Sequence, residues 1–323
     1  MDESIPLSVL VILWLPALLV FFYYVRLYIF RGREYRFPRR RYLRDPKKIT
    51  LTPAQVGYIW RMGHVTEHEF NATLLDLADR GVIEITDAAT REDALLTLTG
   101  KGGDELLSHE TALLDLLFVK ASDDGVVTLG AVSFFVSEQA GEYETSLIEF
   151  KQALVGWAET DQIFERQSFD ARARGQYAGG AMVVMTLLAA LITDYGPLFI
   201  VGLPLGLTMF VAAPVMLRES RPAARVRAQA EALQRYLRDF GRLQEKPPGG
   251  VVVWSRYLVF AELFGMADEV RHELLKHTKR SSLPFGSLTM AFDAIPSLPP
   301  VPDIESETDQ DDDAAAGGLA AIS

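Results

Sequence analysis

Apolar positions in this chain occur in two regimes: long runs with no polar interruption, and short stripes at helical or strand spacing. Residues 5–25, IPLSVLVILWLPALLVFFYYV, carry no charge over 21 positions. A membrane-spanning helix needs about 20 apolar residues, and a soluble helix rarely keeps every face apolar for that length. The preceding MDES is acidic and the run ends in Phe-Phe-Tyr-Tyr, so an uncleaved span is expected rather than a signal peptide. Residues 177–193 and 197–217 are likewise free of charge and flank Asp194-Tyr195-Gly196, which predicts a transmembrane hairpin. Gly179, Gly180, Gly202 and Gly206 suit close helix contact in lipid, where Pro204 and Pro214 are also tolerated.

Elsewhere the pattern is amphipathic. Thr52-Pro53 opens a helix to about Met62, stopped by Gly63. Thr66-Glu67-His68-Glu69 is a capping box, and the helix it starts carries Phe70, Leu74, Leu77 and Ala78 on one stripe until Gly81 closes it. Residues 82–85 and 95–99 read as two strands joined by the polar loop TDAATREDA. Helix, turn, helix, strand, wing, strand is the order of a winged helix. A helix from Ser108, as its cap, runs to Phe118 with Leu113, Leu114 and Leu117 inward. Residues 129–166 add further helix, with Leu147, Phe150, Leu154 and Trp157 on one face. Residues 223–241 form an amphipathic helix through Ala232, Leu233, Tyr236, Leu237 and Phe240. After Gly249-Gly250, the apolar run 251–264 is only 14 residues long and contains Arg256 and Glu262, so it reads as a buried soluble helix rather than a fourth span.

Charge orients these elements. The net charge of −11 conceals segregation: residues 26–48 hold ten Lys/Arg against Glu34 and Asp45, whereas DIESETDQDDD at 303–313 is purely acidic. Arg172 and Arg174 precede the second run, and Arg218, Arg221, Arg225 and Arg227 follow the third. Positive-inside bias therefore places 26–176 and 218–323 in the cytoplasm and the N-terminus outside. The expected fold class is a mainly α membrane protein: three transmembrane helices plus a cytoplasmic α+β module with a winged-helix-like segment. Its expected divisions are a span at 5–25, a basic juxtamembrane segment 26–50, a winged-helix-like and helical region 51–176, a hairpin 177–217, a helical region 218–278 and a disordered acidic tail 279–323. Segments 51–166 and 223–277 are expected to fold together, since neither alone buries enough surface.

TPAQVGYIW, then NATLLDLADRGVIEI, and later EALQRYLRDF with WSRYLVFAELFGMADEV resemble the YciQ-like predicted membrane proteins, a bacterial family without assigned activity. The resemblance extends over about 35–275. It implies a membrane hairpin between two cytoplasmic helical segments. It departs from the family in that only four residues precede the first run, where the family usually carries a β-rich extracytoplasmic domain, so either a shortened member or a misassigned start is expected. The region RPAARVRAQA departs from the glycine-containing word usual there.

Motifs for chemistry are scarce. The chain has no cysteine, which excludes disulfides and thiolate sites. His64-Val65-Thr66-Glu67-His68 spells H-x-x-E-H, but Gly63 and the Thr66 cap put His64 before the helix, so the two imidazoles do not share a face. Thr99-Gly100-Lys101-Gly102-Gly103 lacks the Ser/Thr of a phosphate loop and reads as a loop closing the wing. No catalytic, cofactor or metal site is therefore expected. Residues 51–100 contain three arginines against eight acids, with Glu67, Glu69, Asp76 and Asp79 on the helix that would enter a DNA groove, so no nucleic-acid partner is expected. The expected partners are the bilayer, anionic lipids through 26–48, and another protein. The role expected is a non-enzymatic scaffold or regulatory module of the bacterial inner membrane. A membrane-anchored DNA-binding regulator, an enzyme of unrecognised type and a transporter subunit are the rivals.

Overall fold

The computed structural model describes residues 7–32, 35, 37, 41–86, 93–101, 105–122, 125–193, 196–239 and 251–277. The loop tip 87–92, the turn residues Asp194 and Tyr195, residues 240–250 with Phe240 and Gly249-Gly250, and the expected disordered tail 279–323 lie outside them. The fold is mainly helical with one small sheet. The chain divides into two compact units, one of 1–38 with 158–226 and the other of 39–157 with 227–323.

The first unit is built from α1 (Leu7–Leu27), α7 (Arg166–Thr193) and α8 (Gly196–Ala212), which pack on one another. α1 continues through a wide π turn to Gly32. α7 begins eleven residues before the apolar run at 177, because Arg166–Gln176 contains no helix breaker except Gly175. α8 gives way to a tighter 3-10 turn at Ala213–Met216, where Pro214 has no N–H to continue the α-helical ladder. A Cβ on Gly179 would sit 2.5 Å from the Phe210 nitrogen, and one on Gly206 would sit 3.0 Å from the Val183 nitrogen. Gly202 faces Thr186 in the same way, whereas Gly180 faces open space. The interior is correspondingly small-featured: Ala17, Ala178, Met182 and Met209, with Leu27, Ala171 and Met216 one layer further along. Large apolar side chains point outward instead, among them Leu19, Phe22, Val184, Leu188, Ile200 and Val211.

A polar layer lies beyond that bundle. Arg218 pairs with Glu165, whose other oxygen accepts the Tyr35 hydroxyl at 2.7 Å. The Arg218 guanidinium also sits 4.8 Å over the Tyr35 ring. Backbone bonds from Glu165 N–H to the Arg218 carbonyl and from Ser220 N–H to the Ile163 carbonyl stitch the strands of chain together.

The second unit contains α2 (Pro53–Trp60), α3 (Glu67–Asp79), α4 (Ser108–Asp115), α5 (Leu129–Glu138), most of α6 (Ala140–Thr160) and α9 (Arg221–Asp239), α10 (Val251–Leu263) and α11 (Ala267–His277). The predicted capping box forms at Thr66 with Glu69, and the predicted Thr52 cap proves to be a second box, closed by Gln55. Gly81, at φ +73°, ends α3: its N–H and that of Val82 return to Ala78 and Leu77 carbonyls. Ser108 is the first helical residue rather than the cap of α4; Leu107 holds the cap position, and Glu110 accepts its N–H at 3.0 Å.

Strands β1 (Ile83–Thr86) and β2 (Leu95–Leu98) pair antiparallel, and β3 (Val126–Thr128) adds to β2, giving the order β1-β2-β3. The register aligns Ile85, Leu96 and Val127, all buried, on one face. β3 is the element that the sequence reading omits: three residues are too few for alternation to register. The basic segment 26–50 does not stay in one piece. Its end belongs to the second unit, where Leu43, Pro46 and Ile49 are buried, Leu43 N–H bonds the Ala232 carbonyl and Tyr42 donates to Asp239 at 2.8 Å.

Candidate functional site

Helix α3 carries ionisable groups into the interior of its unit. Every residue from Glu69 to Leu77 is buried, against α2, α10 and α4. Its apolar stripe (Phe70, Leu74, Leu77) is joined by Leu75 on the opposite side, so no face remains for solvent. Carboxylates therefore turn into the protein and must be neutralised there, since an unpaired buried charge is prohibitively costly.

Two of the partners, Arg61 and Arg80, flank α3 and a third, Arg256, comes from α10. Glu69, fully buried, meets Arg61 and accepts from the N–H and hydroxyl of Thr66, each at 2.7 Å. Burial pushes its carboxyl above the usual range, against the pull of Arg61 and Thr66. Gly57 permits this approach: a Cβ there would overlap the Glu69 carboxylate and Leu263. Arg61 also donates to the Leu263 carbonyl at 2.9 Å and lies over Trp60. Asp76 sits between two guanidiniums, Arg80 at 3.1 Å and Arg256 of α10. Arg80 reaches on to Glu110 at 2.5 Å, so one arginine bridges two buried carboxylates. Burial lowers the Arg256 guanidinium and raises the Asp79 carboxyl, the latter opposed by a hydrogen bond from Ser255.

Two histidines flank the network with opposite tendencies. His109 is buried beside Phe150, with Nε2 3.2 Å from the Thr52 hydroxyl; burial, helped by Arg80, lowers its pKa to about 4. His68 stands 3.3 Å from Glu262, which holds its pKa above the ordinary value. Asn71 donates to the same Glu262 oxygen at 3.3 Å.

The H-x-x-E-H word is thus dispersed. His64 precedes the helix, His68 is engaged with Glu262, and no group of three or more metal-ligating side chains occurs among the described residues. The Thr99–Lys101 loop is structural: the Thr99 hydroxyl donates to the Gly81 carbonyl at 2.7 Å and accepts the Lys101 N–H. Sequence reasoning missed the arginine partners, since Arg256 lies far along the chain from Asp76. Their one signal is Arg256 itself, a charge inside an otherwise apolar run.

One open groove adjoins this unit's surface. It has a volume of about 620 Å³, an apolar floor of Leu237, Phe264, Met266 and Val270, and a rim that includes Arg238 and His272. It is large enough for several side chains of a bound segment.

Among the described residues one helical stretch, Trp14–Gly32, is long and apolar enough to cross a membrane; Ile200–Met216 is apolar but shorter. Residues 39–274 match the model of the family described as predicted membrane protein (DUF2207), C-terminal domain. The family and the apolar N-terminal helix together support membrane association. No curated protein and no solved structure matches the chain.

Proposed function

The chain belongs to the DUF2207 family of predicted membrane proteins, and we propose that it is a three-span bacterial inner-membrane protein of the YciQ-like kind whose second unit serves as a non-enzymatic docking or regulatory module for another protein. The observation that carries the non-enzymatic reading is the enclosure of α3. Glu69, Asp76 and Glu110 are 0–2% exposed and each is bound to an arginine from outside α3 or across it. A general acid or nucleophile has to meet its substrate. These carboxylates meet guanidiniums instead.

The same burial weighs against the DNA-binding alternative. A recognition helix needs a free face to enter the major groove, and α3 has both its sides packed. The winged-helix-like order of α2, α3, β1 and β2 then serves as scaffold geometry. The groove between α9 and α11 offers the surface for a protein partner.

Three features support three spans. Outward apolar side chains cover α1, α7 and α8, glycine contacts between α7 and α8 allow the backbone approach typical of helices in lipid, and Tyr35, Glu165 and Arg218 share one polar layer. That layer joins the segments after α1, before α7 and after α8. These are the three ends that charge bias assigns to the cytoplasm.

Single cysteines test the topology: Ser4→Cys and Tyr195→Cys should react with an impermeant maleimide from outside, and Ser306→Cys only after permeabilisation. Labelling of Ser306→Cys from outside overturns the arrangement. A photo-crosslinking residue at His272, on the groove rim, should give a discrete protein adduct in intact membranes, whereas the same probe at exposed Phe134 should give none. Absence of an adduct at His272 removes the docking role.

A further inference from the structure

We propose that Arg26, Arg31, Arg172 and Arg174 form a collar that binds the phosphate headgroups of anionic lipids. The inference rests on the reading that α1 and α7 cross the membrane.

The first observation is placement. Leu27, Ala171 and Met216 pack together, and Gly32 and Gly175 both abut Met216, where an added Cβ would lie 3.0 and 3.1 Å from its side chain. Five residues from three segments therefore define one layer of the bundle. Arg26 adjoins Leu27, Arg31 adjoins Gly32, Arg172 adjoins Ala171 and Arg174 adjoins Gly175. Residues 144 positions apart in sequence put cations at the same level.

The second observation is that these cations find no acidic partner among the described residues. Among the described residues none of the four makes an ion pair, while Arg218 in the neighbouring layer is held by Glu165 and Tyr35. Arg221 lies over Tyr35 and Arg225 over Phe37. From 166 to 177 the sole acid is Asp170. Arg26 and Arg174 are exposed, so they are open to a ligand from outside the protein.

The third observation concerns what surrounds them. Tyr23, Tyr28 and Tyr177 are 45%, 43% and 77% exposed, within one helical turn of the arginines. Exposed apolar side chains cover the bundle away from the polar layer, at Leu19 and Phe22 on α1 and Val184 on α7, and exposed Ile29 and Phe30 stand between Arg26 and Arg31. Arginines mixed with tyrosines and apolar side chains at the end of an apolar bundle suit the zone where acyl chains meet headgroups. A guanidinium forks onto phosphate oxygens, and only a lipid places its phosphate beside an exposed apolar face.

The collar differs from the linear basic segment 26–48. The far end of that segment, around Leu43 to Ile49, is folded into the other unit, and the cations that join Arg26 and Arg31 come from α7 instead.

Full-length protein in nanodiscs of mixed phosphatidylcholine and phosphatidylglycerol tests this, with retained lipid counted by native mass spectrometry at low salt. Wild type should retain phosphatidylglycerol in preference. Arg172→Gln with Arg174→Gln should cut that preference about tenfold, whereas Lys47→Gln with Lys48→Gln should leave it within about twofold. Arg26→Gln, at an exposed position, gives an independent variant with a smaller loss in the same direction. No preference in wild type, or an equal loss in the Lys47/Lys48 variant, overturns the collar. Displacement of the lipid by millimolar glycerol phosphate would identify a free-phosphate site and also overturn it. Correct cysteine labelling with no lipid preference sinks the collar alone; incorrect labelling sinks the spanning reading itself.

Discussion

In the bundle of α1, α7 and α8, the inward residues are Ala17, Ala178, Gly179 and Gly206, while Leu19, Phe22, Leu188 and Val211 face outward. Around α3 the distribution reverses: Phe70, Phe150, Tyr236, Tyr257 and Phe260 are sealed inside, together with Glu69, Asp76 and Glu110. Water accounts for the second arrangement, because large apolar groups gain most by leaving it. In the proposed three-span arrangement lipid would account for the first, because a leucine gains nothing by turning inward from hydrocarbon and shape complementarity is what remains. One unit is held by shape and the other by apolar burial with internal charge pairing.

Breaking the charge pairing should have the largest effect. Asp76→Ala leaves the Arg80 and Arg256 guanidiniums without their shared carboxylate, and loss of one partner from a buried pair costs about 3–5 kcal/mol. Denaturant unfolding of the detergent-solubilised full chain should register it, and a loss below about 1 kcal/mol would mean that water already screens the site.

Acid should act next. His109 has a folded pKa of about 4, below the unfolded value near 6.5, so the unfolded state binds a proton that the fold refuses. Stability should therefore fall as pH drops from about 6.5 towards 4, by roughly 2–3 kcal/mol. His109→Asn should flatten this fall. His68, with its pKa raised by Glu262, works the other way: its contribution is fully present below about 6.5 and is lost as pH rises through the folded value. His68→Ala should leave the acid loss between about pH 6.5 and 4 unchanged in slope and remove the decline above about 6.5, and parallel pH profiles for both variants would refute the assignment.

The shape-held unit is tested by Gly179→Leu against Gly180→Leu. The first drives a side chain into the Phe210 backbone and should cost about 1–3 kcal/mol, whereas the second enters open space. Equal melting temperatures would show that α7 and α8 do not rely on close contact. The smallest effect belongs to the half-exposed Lys120–Glu149 pair, where Glu149→Gln should change stability by about 0.2–1 kcal/mol at most.

Much of the local architecture was legible in the residues. The Thr52 and Thr66 caps, the Gly81 stop and the stripes of α3 and α9 depend on neighbours within a turn, so their grammar is short-range. The candidate site was less so. Glu69, Asp76 and Asp79 read as acids that a DNA groove would repel, and although Arg61 and Arg80 are near them in sequence, nothing nearby announces Arg256. α7 and β3 show the same limit: a polar helical extension and a three-residue strand acquire definition from what they pack against.

By itself, then, the sequence determined most of the helical segments, which runs are long and apolar, and the helix ends set by Thr52, Thr66 and Gly81. Hydrophobicity and capping are properties of contiguous residues. Only the tertiary structure decided that α3 is a core helix and not a presented one, that a distant arginine neutralises its acids, that the basic segment splits between two units, and that cations of α7 join those of α1. Each of these depends on residues brought together across long stretches of chain, and charge compensation acts through space with no periodicity to betray it.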